Sequence, residues 1–346
     1  MKERFTDTVI ILLAALSLVS SERSLKPSFS GNVPPIGINL TKFNSGSIDS
    51  SDISALEFLA KSGYKTIALN PVYYQNSANS SIIEDSSSFS IRNLEEVIKE
   101  SRSLGMKTAL KPLIDARDNG SRMTFYPSNF NKWAESYMKI IDNLSRVAIE
   151  DSVDYFIVGS ELEKILDRNP SFFDRVSSSL KDSGFKGKTI YAADFMSLSD
   201  LDRIKKLKET SIDIVGIDFY APAMPSIPFG NKIPFYFVKK IYETLHPKPI
   251  FITEFGVPSE TFGGILPFNN IPWSIQDSHL QAKVYKDFLE AVSEINGKSQ
   301  TIRGVFVWSS DRPDFGEDIS DPLPKGYSIF GKPAEKIVKE FIKKGK

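Results

Sequence analysis

The chain has 346 residues, enough for one α/β barrel with insertions, and 41% of them are apolar, enough for a sizeable core. Its 43 basic and 43 acidic residues cancel, so charge makes no case for nucleic acid or an anionic membrane as partner. With no cysteine and only His246 and His279, a disulfide framework, a thiolate zinc site and a cysteine nucleophile are excluded. Neither histidine lies beside a nucleophile elbow. His246, ahead of Pro247, reads as a helix-end residue, and His279 as a solvated or helix-start residue.

The N-terminus reads as a leader. Lys2 and Arg4 precede Val9 to Val19, a run apolar except for Ser17 and too short for the roughly 20 residues that span a bilayer. Small residues follow, and the pattern predicts a signal peptide over 1–23, cut between Ser21 and Ser24, with export to the periplasm or medium and no membrane span thereafter. A buried N-terminal helix and an uncleaved anchor are the other readings of this run. A Ser/Pro-rich linker, 24–35, leads into one domain over 36–346.

From there strand and helix alternate. The predicted strands are 36–39, 66–70, 107–112, 154–160, 189–193, 214–218, 250–253 and 304–308. The predicted helices are 51–61, 94–104, 129–150, 172–183, 201–208, 236–245, 277–295 and 333–343; Gly63, Gly105 and Gly184 stop three of them. Trp133, Tyr137, Ile140, Ile141, Leu144 and Val147 form a helical stripe that reads as packing. Segments after the second, third, sixth, seventh and eighth strands are long, 71–90 being rich in Ser and Asn. Eight such units predict a closed (β/α)8 barrel. An open doubly wound sheet usually carries a Gly-rich turn after its first strand, and none is present.

The strand ends carry the chemistry. Asp154 to Ser160 and Pro249 to Thr253 are apolar runs, the mark of strands buried on both faces, and they end in Glu161 and Glu254. The predicted rim adds Asn39, Asn70, Tyr73, Lys111, Asp115, Asp194, Asp218, Tyr220 and Trp308. Amides and carboxylates suit sugar hydroxyls, and aromatic faces suit the C–H side of a sugar ring. The set lacks the histidines of metal-dependent hydrolase barrels and a Gly/Arg cradle for phosphate, so neither metal nor cofactor is expected. Two carboxyl groups across one cleft are what glycoside cleavage needs, one protonated and one ionised. Glu163 competes with Glu161, but the turn into the next helix should leave Glu161 at the last strand position. A barrel that grips sugar with little or no turnover is the reading from another class.

Taken together, these stretches resemble the clan A glycoside hydrolases, and most closely family 113, whose members are mainly endo-β-1,4-mannanases. The similarity lies in Ile67 to Pro71 with Tyr73, Leu110 to Pro112 with Asp115, Val158 to Leu162, Tyr191 to Ala193, Asp213 to Tyr220, Ile252 to Gly256, and Gly326 to Ser328 through Gly331 to Glu335. It implies a retaining β-glycosidase acting on a β-linked poly- or oligosaccharide, β-mannan foremost. It implies Glu161 as acid/base, Glu254 as nucleophile, Tyr220 orienting the nucleophile and Trp308 as the floor under the sugar. The chain departs from the family pattern at substrate-facing positions: Ser160 stands where Asn is common, Asp194 where Asn is expected, Leu113 where His is common, and Ser309-Ser310 follow Trp308. The resemblance therefore implies a changed specificity as readily as mannan.

Overall fold

The computed structural model describes residues 32–40, 50–223, 230–268, 273–309 and 326–345. The predicted signal peptide, linker residues 24–31 and Ser310 lie outside them. Eight parallel strands close into a barrel: β1 (Ile36–Leu40), β2 (Thr66–Leu69), β4 (Lys107–Leu110), β6 (Tyr155–Ser160), β7 (Lys188–Phe195), β8 (Ile214–Phe219), β9 (Ile250–Phe255) and β10 (Ile302–Ser309), which returns to β1. The predicted (β/α)8 barrel is therefore the fold.

Two strands were not foreseen. The chain leaves β2 through Asn70-Pro71 and runs on as β3 (Val72–Gln75); it leaves β4 through Lys111-Pro112 and runs on as β5 (Leu113–Ala116). These pair parallel, Val72 opposite Leu113, as a separate sheet. Proline has no N–H to give a ladder, so Pro71 and Pro112 end the barrel pairing while leaving the chain extended. Tyr73 and Asp115 consequently lie on this extra sheet and not at barrel strand ends, which corrects their predicted placement. Tyr73 is buried in the core and bridges Ser87.

Two apolar clusters divide the interior. Ala68, Ala109, Ile157, Ile190, Ala192, Ile214, Phe251 and Phe306 pack together separately from the larger cluster, which joins the outward strand faces to the helices. The helix that positions the site most directly is α3 (Phe130–Glu150), capped by the Asn129 side chain on Lys132 N–H. Its stripe is buried as predicted, and two of its aromatics also make polar contacts. Trp133 Nε1 donates to Gln75 of β3 at 2.8 Å, and Tyr137 OH donates to the Val158 carbonyl at 2.8 Å. One short helix, α4 (Glu163–Arg168), was missed because six residues are too few to show a period.

Candidate active site

Strand alternation alone would send Ser160 and Glu254 to the outer face. On β6, Ile157 belongs to the inner cluster and Val158 to the outer. The ladder with β7 then slips: Ile157 pairs with Ile190, but Gly159 with Tyr191 and Ser160 with Ala192. Val158 and Gly159 thus both face out, and Ser160 faces in. A β-bulge of this kind re-aims the residues that follow it. Gly159 suits the spot, since a Cβ there would lie 2.6 Å from the Phe173 ring. Glu161 then adopts φ +53°, a left-handed conformation unusual for a side-chain-bearing residue and of the kind that collects at functional sites.

Strand β9 repeats the device. Ile252 pairs with Ile217, but Glu254 pairs with Asp218, so Thr253 is the extra residue. Without it, Phe251 facing inward would send Glu254 out among the helices. Each bulge leaves a carbonyl that a side chain covers: Tyr137 takes Val158, and Asn39 Nδ2 donates to Thr253 at 3.0 Å. Asn39 is fully buried, and Asn70 Nδ2 reaches its Oδ1 at 3.4 Å and the Leu40 carbonyl at 3.3 Å. Asn39→Leu is expected to destabilise the fold by about 1–3 kcal/mol, the penalty of an unpaired buried carbonyl. Glu254 would also lose its aim, so kcat should fall more than KM rises. Denaturant unfolding and steady-state kinetics check this; a stable variant with unchanged kcat would show the bulge does not need Asn39.

The mouth holds a tight ionic cluster. One oxygen each of Glu161, Asp218 and Glu254 lie within 4.8 Å of one another. Lys111, wholly buried at the end of β4, donates to Asp218 Oδ1 at 3.0 Å and Oδ2 at 3.1 Å and to Glu254 Oε1. Tyr220 OH donates to the other Glu254 oxygen at 2.6 Å, and Ser160 Oγ to Asp218 at 3.1 Å. The Lys111 ammonium also lies 6.0 Å from the centroid of the half-buried Trp308 ring. The three carboxylates could hold a divalent cation, but Lys111 already sets a positive charge against two of them.

Burial and the neighbouring Asp218 push the Glu254 carboxyl up to about 8 against the pull of Lys111. Burial raises Glu161 too, against the opposing charge of Arg122. Lys111 is itself raised, because the attraction of Asp218 and Glu254 outweighs its desolvation. Both Glu254 oxygens already accept, from Lys111 and Tyr220, so its ionised form is the one the hydrogen bonds fit.

Other predicted residues are placed differently. Asp194 of β7 pairs in register with Asp218 and is buried; burial, then Glu161 and Glu163, raise its carboxyl well above the usual range. Glu163 turns away into the start of α4, where it accepts the Asp194 N–H at 2.8 Å and faces Arg203 at 3.4 Å. That settles its competition with Glu161 as to position in the mouth. Asp115 grips Arg122, whose Nη1 reaches Glu161 Oε2 at 3.1 Å. Arg122 was missed by sequence reasoning: it lies in an aperiodic loop, and only the fold of the extra sheet brings that loop over the mouth.

The profile of glycoside hydrolase family 113 matches residues 45–332. The chain belongs to glycoside hydrolase family 113. Solved structures agree on the fold. A GH113 β-1,4-mannanase, solved as a complex, is 19% identical, with 89% of this chain and 98% of that one covered and a TM-score of 0.75. The GH113 β-mannanase AaManA from Alicyclobacillus acidocaldarius, in complex with ManMIm, is 17% identical, with 90% and 97% covered and a TM-score of 0.75. The endo-1,4-β-D-mannanase of Thermotoga petrophila is 14% identical, with 90% and 99% covered and a TM-score of 0.59. A comparison with curated proteins gives no match. Among the described residues of this family 113 chain, no helix is long and apolar enough to cross a membrane.

Proposed function

We propose that this family 113 chain is an exported retaining β-glycosidase that cleaves β-1,4-linked mannan or a related β-linked glycan. Glu254 is the nucleophile and Glu161 the acid/base. The observation that carries the reading is the approach of Glu161 and Glu254 across the mouth, one oxygen of each within 4.8 Å of the other. Carboxyl groups about 5–5.5 Å apart leave no room for a water between them and suit a covalent glycosyl intermediate; inversion needs roughly 6.5–9.5 Å.

In the first step Glu254 attacks the anomeric carbon while Glu161 protonates the departing oxygen. In the second, Glu161 takes a proton from water, which displaces Glu254 with net retention. Lys111 and Tyr220 keep the nucleophile ionised and oriented. Trp308 offers an aromatic face beside the cluster for the sugar ring. The mannan preference rests on the family and on mannanases among its structural neighbours.

The test is hydrolysis of manno-, gluco-, xylo- and galacto-oligosaccharides by the chain without residues 1–23, with Glu254→Gln as control. Cleavage of one series, lost in the control and giving the β-anomer first by NMR, is the expected result. Binding of one series without cleavage would replace this reading with a sugar-binding barrel.

A further inference from the structure

We infer that Arg122, anchored by Asp115, is a latch that keeps Glu161 ionised in the empty cleft and releases it for protonation when a sugar enters. The inference rests on the reading of Glu161 as the acid/base. An acid must carry its proton at the moment the leaving oxygen departs, yet in the empty cleft Glu161 is paired with a guanidinium. That pairing favours the carboxylate, so something must break it before the first step.

The geometry supplies the means. Arg122 Nε and Nη2 grip Asp115 Oδ1 at 3.1 and 2.9 Å, while only Nη1 reaches Glu161, at 3.1 Å. The hold on Asp115 is double and the hold on Glu161 is single. A sugar that displaces Nη1 therefore leaves the guanidinium with a partner and does not strand a charge. The backbone does not need to move. Phe125 is fully buried, Tyr126 N–H donates to the Ala78 carbonyl at 2.7 Å, and the Tyr126 ring lies 3.5 Å from the guanidinium carbon of Arg168. Arg168 ends α4, the helix that follows Glu161, so the Arg122 loop and the Glu161 turn are tied together. The moving part is the Arg122 side chain, which with Glu161 is still partly open to the cleft.

Once Nη1 has left, what remains around Glu161 is mostly negative. Asp218 comes from β8, Glu254 from β9, Asp194 from β7, Asp115 from β5 and Glu163 from α4; Lys111 is the cation on the other side and already holds Asp218 and Glu254, and Tyr220 is neutral. A buried carboxylate in that company takes a proton from solvent at the open rim. The proton passes to the glycosidic oxygen as the bond to the leaving group breaks, and water restores it to Glu161 in the second step.

The test is the pH dependence of kcat/KM and kcat on an oligosaccharide that the enzyme cleaves. The basic limb marks loss of the Glu161 proton, in free enzyme for kcat/KM and in the complex for kcat. In the unaltered enzyme the kcat limb should lie above the kcat/KM limb. Arg122→Gln should raise the kcat/KM limb by about 1 pH unit or more, the usual effect of removing an opposite charge at this range, and close the gap. Asp115→Asn removes the competing anchor and one negative charge, so the limb should move down. Carboxyl carbon-13 titration of Glu161 in the free protein should show the same two shifts without substrate. A limb and a titration left unmoved by Arg122→Gln in a folded variant, or moved upward by Asp115→Asn, would overturn the latch. Failure of the underlying reading looks different: Glu161→Gln would then keep its activity on oligosaccharides.

Discussion

Glu254→Gln is expected to lower kcat by about a thousandfold or more with the fold intact, because an amide cannot supply the carboxylate oxygen that attacks the anomeric carbon. Glu161→Gln should lose about as much on an oligosaccharide but far less on an aryl β-glycoside whose leaving group needs no proton. The contrast separates the two roles. Azide sharpens it: with Glu161 removed, azide can attack the glycosyl-enzyme and give the β-azide; with Glu254 removed, it can attack the substrate directly and give the α-azide. Swapped products would reverse the assignment, and full activity in either variant would remove that residue from the chemistry. Because the amides preserve size, thermal unfolding should change little. A large drop would point to a structural role.

The second large effect is expected at Lys111. Lys111→Met strips the cation that contacts both Asp218 and Glu254, and none of these three side chains is more than 4% exposed. Breaking a buried ion pair by removing one partner costs about 3–5 kcal/mol, because the other charge stays buried without compensation. The sign of the pH effect follows from the charge removed. Glu254 is already raised to about 8 by burial and Asp218, and Lys111 is what opposes them. Without it the carboxyl rises further, less of the nucleophile is ionised at neutral pH, and the acid limb of kcat/KM moves to higher pH. Denaturant unfolding and a pH–rate profile measure the two parts. An unshifted acid limb in a folded variant would show that Lys111 does not hold the nucleophile ionised. Lys111→Arg is not a neutral control, since the wider guanidinium must fit a fully buried socket.

Raised carboxyls elsewhere set a wider pH expectation. Burial, against Arg203 and the Asp194 N–H, places Glu163 at about 8, well above its ordinary value. The folded state thus holds a proton there that the unfolded state releases above about 4.3. Stability from this group is fully present below that value and is lost as pH rises through about 8. Glu163→Gln should flatten the fall in Tm between pH 5 and 9, and an equally steep fall in the variant would mean that Glu163 is not the group responsible.

The order of strands and the identity of the two catalytic candidates were legible from sequence. A parallel barrel strand is apolar on both faces, so Asp154 to Ser160 and Pro249 to Thr253 announce themselves as strands, and a carboxylate at the end of each is conspicuous. Helix ends were legible for the same local reasons: Gly105 stands past the second helix at φ +77°. The extra sheet was not, because Pro71 and Pro112 look like the start of loops, and pairing between Val72–Gln75 and Leu113–Ala116 is a contact between distant segments. Arg122 was hidden with it. Asn39 was read as a rim residue facing sugar, whereas its amide lies against the Thr253 carbonyl; a strand-end Asn looks the same in sequence either way.

The sequence by itself determined the (β/α)8 barrel and the carboxylates near the ends of β6 and β9, because periodicity, strand composition and punctuation are local properties of the chain; its motifs carried the resemblance to the family. Only the tertiary structure decided where those carboxylates point and what charge they meet. Their aim depends on two one-residue slips in strand register and on the side chains of Tyr137 and Asn39 that cover the freed carbonyls. Their ionisation depends on Lys111 and Arg122, which arrive from separate strands and loops. Register and charge neighbourhood are set by groups far apart in the chain, and the interaction of two charges in a buried site is governed by distance and solvent access, which no local pattern records.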